Sequence, residues 1–341
     1  MWGAYEALRA QPALFQGFLA LFGAIAGSFA SAAIYRIPRA PEMSLLRPRR
    51  SHCPACKTQI AWFDNLPVVS YLLLRGRCRS CGVRFGPGYL VHEVGLALLF
   101  VLAGHSWAGQ QGPIPLVILC VALTALWIAA FVDLAHFILP DGITIGGQFA
   151  AVPALLLVPE FQLWPGREGL PWGVRLAETV GFDPSGPAWL LALVSGLVGW
   201  AAAFGLAFGI GRLFSYLLRQ EALGFGDVKY LAAVGAWTGL EGALWTLLTG
   251  VFVGSLFGVL NVVRMICVVR QRRARGTRRA YGNTAARVGW LTGRLIPFGP
   301  PLILGTTLVL LAPTSIHHFF LVTWPEWISG VSPFATSPMT P

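Results

Sequence analysis

Ile114-Pro-Leu-Val-Ile-Leu-Cys-Val-Ala-Leu-Thr-Ala-Leu-Trp-Ile-Ala-Ala-Phe-Val-Asp133 is an unbroken apolar stretch that stops on a carboxylate. A bilayer-crossing helix needs roughly 20 mostly apolar residues, so the segment reads as a membrane span with an acid at its end. Comparable runs lie at about 13–35, 89–108, 141–158, 188–217, 228–240, 243–269 and 296–313. The stretch 228–269 is divided at Gly239-Leu240-Glu241-Gly242, because a single helix of that length overshoots the bilayer. The expected fold is an all-α polytopic membrane protein with eight transmembrane helices.

Composition agrees. Of the 341 residues, 55% are hydrophobic and 11% charged, where soluble domains carry about a quarter charged residues. Mean hydropathy is +0.65. A soluble enzyme, a disordered chain and a disulfide-rich secreted scaffold are excluded. The net charge of +11 comes from 25 Lys and Arg against 14 Asp and Glu. Twenty-two of those 25 cations fall within 36–84, 212–229 and 264–294, leaving Arg9, Arg167 and Arg175. With eight spans the three basic stretches share one side. The positive-inside rule puts that side in the cytoplasm and both termini outside. Topology thus accounts for the surplus, and no nucleic acid partner is expected.

The chain divides into a first transmembrane helix (1–35), a cytoplasmic cysteine domain (36–88), a seven-helix membrane domain (89–313) and a loosely ordered Pro/Ser/Thr-rich tail (314–341). The membrane domain has an outside loop at 159–187 and a basic cytoplasmic loop at 270–294. The first span lacks a basic leader and a cleavage site, so it reads as a retained helix.

Cys53-Pro-Ala-Cys56 and Cys78-Arg-Ser-Cys81 form two CxxC knuckles separated by 21 residues. Four thiolates at that spacing suit a tetrahedral zinc ion in a zinc-ribbon-like domain, with a hairpin expected between the knuckles. All-protein ligation makes such an ion structural. A pair of redox CxxC motifs is the alternative reading; a reducing cytosol and two matched knuckles favour zinc. Between the knuckles lie Asp64-Asn65-Leu66-Pro67, Ser70-Tyr71 and Leu74-Arg75-Gly76-Arg77, residues that a bare zinc ribbon does not require.

Most acids sit in loops, where solvation is the default explanation. Asp133, Asp141 and Asp227 instead fall at the cytoplasmic boundary of spans, where acids are functional candidates. Two such carboxylates brought together share one proton. The ionised one activates water and the protonated one donates to the carbonyl under attack. In Gly224-Phe225-Gly226-Asp227 the glycines let the backbone approach a bound peptide or the partner acid. The competing reading makes Asp141 and Asp227 helix caps or partners of Lys229. It fits Asp133 poorly, since a helix C-terminus disfavours an anion. His92-Glu93 begins like HExxH, but Leu96 replaces the second histidine. A membrane transporter or scaffold is the alternative class. It requires ionisable groups near mid-span, which these spans almost lack.

Taken in order, these motifs resemble the type IV prepilin peptidase family, the GxGD-type membrane aspartic peptidases of pili and type II secretion. The resemblance is carried by Gly27-Ser28-Phe29 with Tyr35-Arg36-Ile37-Pro38, the two CxxC pairs, and Asp64-Asn65-Leu66-Pro67. It continues through Tyr89 and Glu93, Asp133 with Leu139-Pro140-Asp141, Gly224 to Lys229, Gly235 to Gly239, and Pro297-Phe298-Gly299-Pro300. Ser31 stands where the family usually has Asn, and Leu90 where it usually has Pro. The resemblance implies an inner-membrane aspartic endopeptidase that cuts the basic leader of prepilins and pseudopilins at the cytoplasmic face. Asp133 and Asp227 are then the catalytic pair, supported by Gly224, Gly226, Asp141 and Lys229. It also implies N-methylation of the new amine with S-adenosylmethionine; Asp64, Gly76 and Glu93 are candidates for holding that donor. A peptidase without the methyl-transfer step is the nearest alternative.

Overall fold

The computed structural model describes residues 2–40, 44, 51–53, 55–107, 112–162, 170–220, 223–274 and 297–329. Among the described residues, each apolar run read from the sequence forms a helix. After a short helix α1 (Trp2–Arg9) come α2 (Pro12–Arg36), the one-turn helix α3 (Val69–Leu73), α4 (Gly88–Ser106), α5 (Ile114–His136) and α6 (Asp141–Leu157). Then follow α7 (Trp172–Glu178), α8 (Ala188–Leu218), α9 (Phe225–Ala274), α10 (Gly299–Leu311), α11 (Pro313–His318) and α12 (Trp324–Ser329). Among the described residues, five helices are long and apolar enough to cross a membrane. A sixth crossing results if α10 and the segment Pro313–Trp327, bent by 111°, count as one.

The division of 228–269 has a local cause. The chain leaves helical geometry at Gly239, whose φ of 73° and ψ of −177° interrupt α9. That φ favours glycine, and a Cβ there would meet Gln162 Oε1 and Ser195 Oγ. Gln162 Nε2 donates to the Ala236 carbonyl at 3.0 Å, and the Trp172 N–H donates to Glu241 at 3.3 Å. The Gln162 side chain therefore satisfies one carbonyl beside the break, while the Glu241 side chain ties the start of α7 to the segment that follows it.

Small residues set the helix crossings. Gly23 and Gly27 of α2 lie against the backbone of α4 at Ala97 and Glu93, where a Cβ would overlap backbone atoms. Gly199 of α8 and Gly235 of α9 meet reciprocally, each in the place of the other's missing side chain. Across the core, Tyr230 donates to Thr306 at 2.6 Å, and Trp107 Nε1 donates to the Leu310 carbonyl at 2.9 Å.

Two expectations are corrected. The segment between the cysteine knuckles is not a β-hairpin. It forms a 3₁₀ turn at Trp62–Asn65 and then α3, and among the described residues the only β pairings there are isolated bridges, His52 with Gln59 and Arg77 with Arg84. Ser70 donates to the Phe63 carbonyl at 2.8 Å, which folds the segment onto itself instead of into a ladder. The tail is not loose from residue 314, because helix continues to Ser329. Phe320 stacks on Trp245 at 5.4 Å, and Trp324 packs edge-on against Phe252 at 6.0 Å. Residues 275–294 of the basic loop and 330–341 of the tail lie outside the described residues.

Candidate active site and metal centre

Asp133 ends up buried near the C-terminus of α5, the end that the carbonyl dipoles make unfavourable for an anion. The start of α10 compensates it. Gly299 donates its backbone N–H to the Asp133 carboxylate. Pro300 and Pro301 have no amide hydrogen, and Leu302 bonds the Phe298 carbonyl at 3.2 Å, so Gly299 is the first-turn amide left free to aim. A Cβ on Gly299 would collide with Asp133 Oδ2.

Asp227 sits in the first turn of α9. Gly224 donates its N–H to the Asp227 carboxylate while its carbonyl accepts from Asp227 N–H at 3.0 Å, a reciprocal cap. Asp227 is thus not the N-cap itself but the third residue of α9, closing the first turn onto Gly224. This closure coexists with proximity to Asp133, for the two carboxylates are near enough that the charge of one acts on the other. Leu139 packs beside both Gly226 and Gly299: hypothetical Cβ atoms on these glycines would touch it at 3.5 and 3.3 Å. Those on Gly224 and Gly226 would make only ordinary contacts, the nearest being Asp227 Oδ2 at 3.6 Å and Leu139 Cβ at 3.5 Å. Packing within this chain thus does not demand either glycine. Asp141, at the start of α6, pairs with Lys229 on α9. Lys229 also lies over the Phe225 ring at 5.5 Å, and its carbonyl accepts from Gln148 at 3.0 Å.

The cysteines converge. The Sγ atoms of Cys53, Cys56, Cys78 and Cys81 lie within 4.8 Å of one another. Cys53 to Cys81 is 3.9 Å and Cys56 to Cys78 is 4.0 Å. Tetrahedral zinc–thiolate bonds of about 2.3 Å imply sulfur separations of about 3.8 Å, so the quartet fits zinc. The two knuckles repeat one pattern. Lys57 N–H bonds the Cys53 carbonyl as Gly82 N–H bonds that of Cys78, and Cys53 N–H reaches Thr58 as Cys78 N–H reaches Val83, all at 2.9 Å. Hydrogen bonds from the Thr58 side chain and backbone draw the Cys56 thiol down to about 6, toward the thiolate that a metal requires.

Asp64 receives a two-pronged contact from Arg79, Nε to Oδ2 at 2.8 Å and Nη2 to Oδ1 at 2.6 Å. These bonds tie the 3₁₀ turn to the second knuckle and hold the Asp64 carboxyl below the usual range. The pairing therefore contributes above the ordinary carboxylate pKa and is lost as pH falls through the depressed one.

Beneath the knuckles is a cavity of about 370 Å³ bounded by α2, α3, α4 and the cysteine loop. Asp64, Gly76 and Glu93 all line it, together with Cys53. Tyr35, Tyr71, Phe85 and Tyr89 line it as well. Their part in a common wall was missed from sequence, although three tyrosines clustered in and around the loop were a readable signal.

A polytopic helical protein that brings two boundary aspartates within range of each other's charge and also carries a four-cysteine cluster has the make-up of a membrane aspartic peptidase. Comparison with known proteins agrees. Residues 21–107 match the Bacterial Peptidase A24 N-terminal domain, and residues 120–259 match the Type IV leader peptidase family. A "Prepilin leader peptidase/N-methyltransferase" of Klebsiella pneumoniae is 34% identical over 241 residues, covering 70% of this chain and 91% of that one. Its namesake in Aeromonas salmonicida (strain A449) is 28% identical over 342 residues, covering 93% and 98%. The Neisseria gonorrhoeae relative of the same name is 30% identical, covering 80% and 87%. The chain belongs to the type IV leader peptidase family. No solved structure matches it.

Proposed function

We propose that this chain is a multi-pass inner-membrane enzyme that removes the leader of prepilins or pseudopilins and then methylates the new N-terminus. The observation that carries this reading is the approach of Asp133 to Asp227, each held by a backbone amide: that of Gly299 at the start of α10 for one, that of the adjacent cap residue Gly224 for the other. With one acid ionised and the other protonated, the pair can take a proton from water and give one to the scissile carbonyl. Space left open beside Gly224 and Gly226 suits an extended peptide strand. The ion pair of Asp141 with Lys229 ties α6 to the same end of α9 and steadies the site's frame.

In this reading α9 supplies two crossings around Gly239, and the bundle has eight spans. Both termini are outside, and the aspartates and cysteine domain are cytoplasmic, following the basic stretches. The domain division is the one given from sequence: 1–35, 36–88, 89–313 and 314–341.

Cys53, Cys56, Cys78 and Cys81 hold a structural zinc that fixes the loop. The cavity below it is the site for S-adenosylmethionine. Its volume falls in the usual ligand range of about 300–1,000 Å³. Its lining sets carboxylates, serines and tyrosines beside Arg36, Lys57 and Arg77, a mixed set that suits a zwitterionic donor bearing an amine, a carboxylate and hydroxyls. When bound, the donor supplies an electrophilic methyl group; the chain's own part is to hold it near the amine that cleavage exposes.

Co-expression with a prepilin in a host lacking its own leader peptidase tests the proposal. Mass spectrometry of the mature N-terminus is expected to show loss of the leader and the mass of one added methyl. Uncut prepilin contradicts the peptidase, and a cut but unmethylated product contradicts only the second activity.

A further inference from the structure

The donor-site reading leaves one buried acid without a distinct role. Glu93 lies on α4, one turn inside its start, and is 7% exposed. Its Oε2 accepts the Val68 backbone N–H at 2.7 Å, and Ser28 of α2 donates its hydroxyl to the same carboxylate. Ser28 can reach because its neighbour Gly27 lets α2 lie directly on the α4 backbone at Glu93. Both donors come from the protein, from two different elements.

Val68 is the unusual partner. It precedes α3 with φ 63° and ψ −52°. A β-branched residue at positive φ is a genuine outlier, held only when its surroundings over-determine it. Held there, Val68 launches α3, whose Ser70 and Tyr71, with Leu74 just beyond, line the cavity. Tyr71 in turn accepts the Gly76 N–H at 2.9 Å, fixing the turn that leads into the second knuckle.

We infer that Glu93 is a positioning residue, a latch that holds the strained Val68 turn and so builds the α3 wall of the methyl-donor cavity. The inference rests on the donor-site reading above but changes the part that Glu93 plays in it. The carboxylate acts on the backbone of the cysteine loop, and the cavity's shape depends on it.

The test uses the full chain in nanodiscs and three variants: Glu93→Ala, Glu93→Gln, and Glu93→Ala with Val68→Gly. Hydrogen-exchange mass spectrometry without donor reads the segment around Val68, and methylation kinetics read the cavity. Losing a hydrogen bond to a charged acceptor predicts that Glu93→Ala raises exchange there and the donor KM about tenfold or more, with methylation kcat nearly unchanged. Glu93→Gln, whose amide oxygen still accepts, stays near wild type. Val68→Gly removes the steric cost of positive φ and recovers part of the lost donor affinity. Unchanged exchange at Val68 in Glu93→Ala overturns the latch. So does a Gln variant as impaired as Ala with no recovery by Val68→Gly, since the carboxylate then contacts the donor itself. Faster exchange with an unchanged donor KM supports the latch and overturns the assignment of the cavity to the donor.

Discussion

The backbone amide of Gly299 donates to the carboxylate of Asp133, so the anion at the end of α5 rests on the beginning of α10. Two successive prolines follow, and no side chain fits at Gly299 without striking Asp133 Oδ2. Displacing a reacting group by about 1 Å costs on the order of 100-fold in rate. Gly299→Ala is therefore expected to lower leader cleavage about 100-fold while the protein still folds. The control is Gly258→Ala, which meets nothing within 4 Å and should leave cleavage unchanged. Cleavage rates of the two purified variants check this.

The local half of this site was legible in the sequence and the long-range half was not. Asp227 and its glycines form one continuous motif, and the cap with Gly224 follows from adjacency. The approach of Asp133 to Asp227 was expected from family resemblance alone, because nothing in spacing says that α5 and α9 both pack on α10. Gly299 was visible only as part of a last-span motif, since its contact with Asp133 forms only after the bundle closes. The knuckles were readable because their ligands lie within a few residues of each other. The segment between them does not form the expected hairpin: Val68-Val69-Ser70-Tyr71 looks like a strand, yet a carboxylate on α4 holds Val68 in a turn. Asp64, Gly76 and Glu93 do share one cavity, while hydrogen bonding commits Asp64 to Arg79 and Glu93 to Val68 and Ser28.

The proposed roles predict that Asp141 behaves as a framing acid and not as a reacting one. Its side chain is 64% exposed and paired with Lys229, so the pair contributes less than about 1 kcal/mol. Asp141→Asn is expected to lower thermal stability slightly and keep most of the cleavage activity. Thermal unfolding and a cleavage assay on one preparation measure both.

The proposed zinc ligation by the cysteine quartet predicts a structural dependence. Zinc content near one ion per chain is expected, because apparent zinc binding in such sites reaches about 10–16 kcal/mol. Chelation or Cys53→Ser should make residues 52–84 sensitive to protease and reduce methylation more than cleavage. Elemental analysis with limited proteolysis checks it.

The crossing of α8 and α9 at Gly199 and Gly235 leaves no room for a methyl group on either backbone. Gly235→Ala should destabilise the folded protein by about 1–3 kcal/mol, the usual cost of overpacking. The measurement is thermal unfolding in detergent, with Gly205→Ala, which meets nothing within 4 Å, as the comparison.

The most direct test of the central claim is the rate of prepilin cleavage by Asp133→Asn and Asp227→Asn, each purified and shown to be folded. Acid–base catalysis contributes about 10²–10⁴ per group, so each variant is predicted to lose at least that factor in kcat/KM. Either variant cleaving within a few-fold of the wild-type rate would contradict the two-aspartate mechanism.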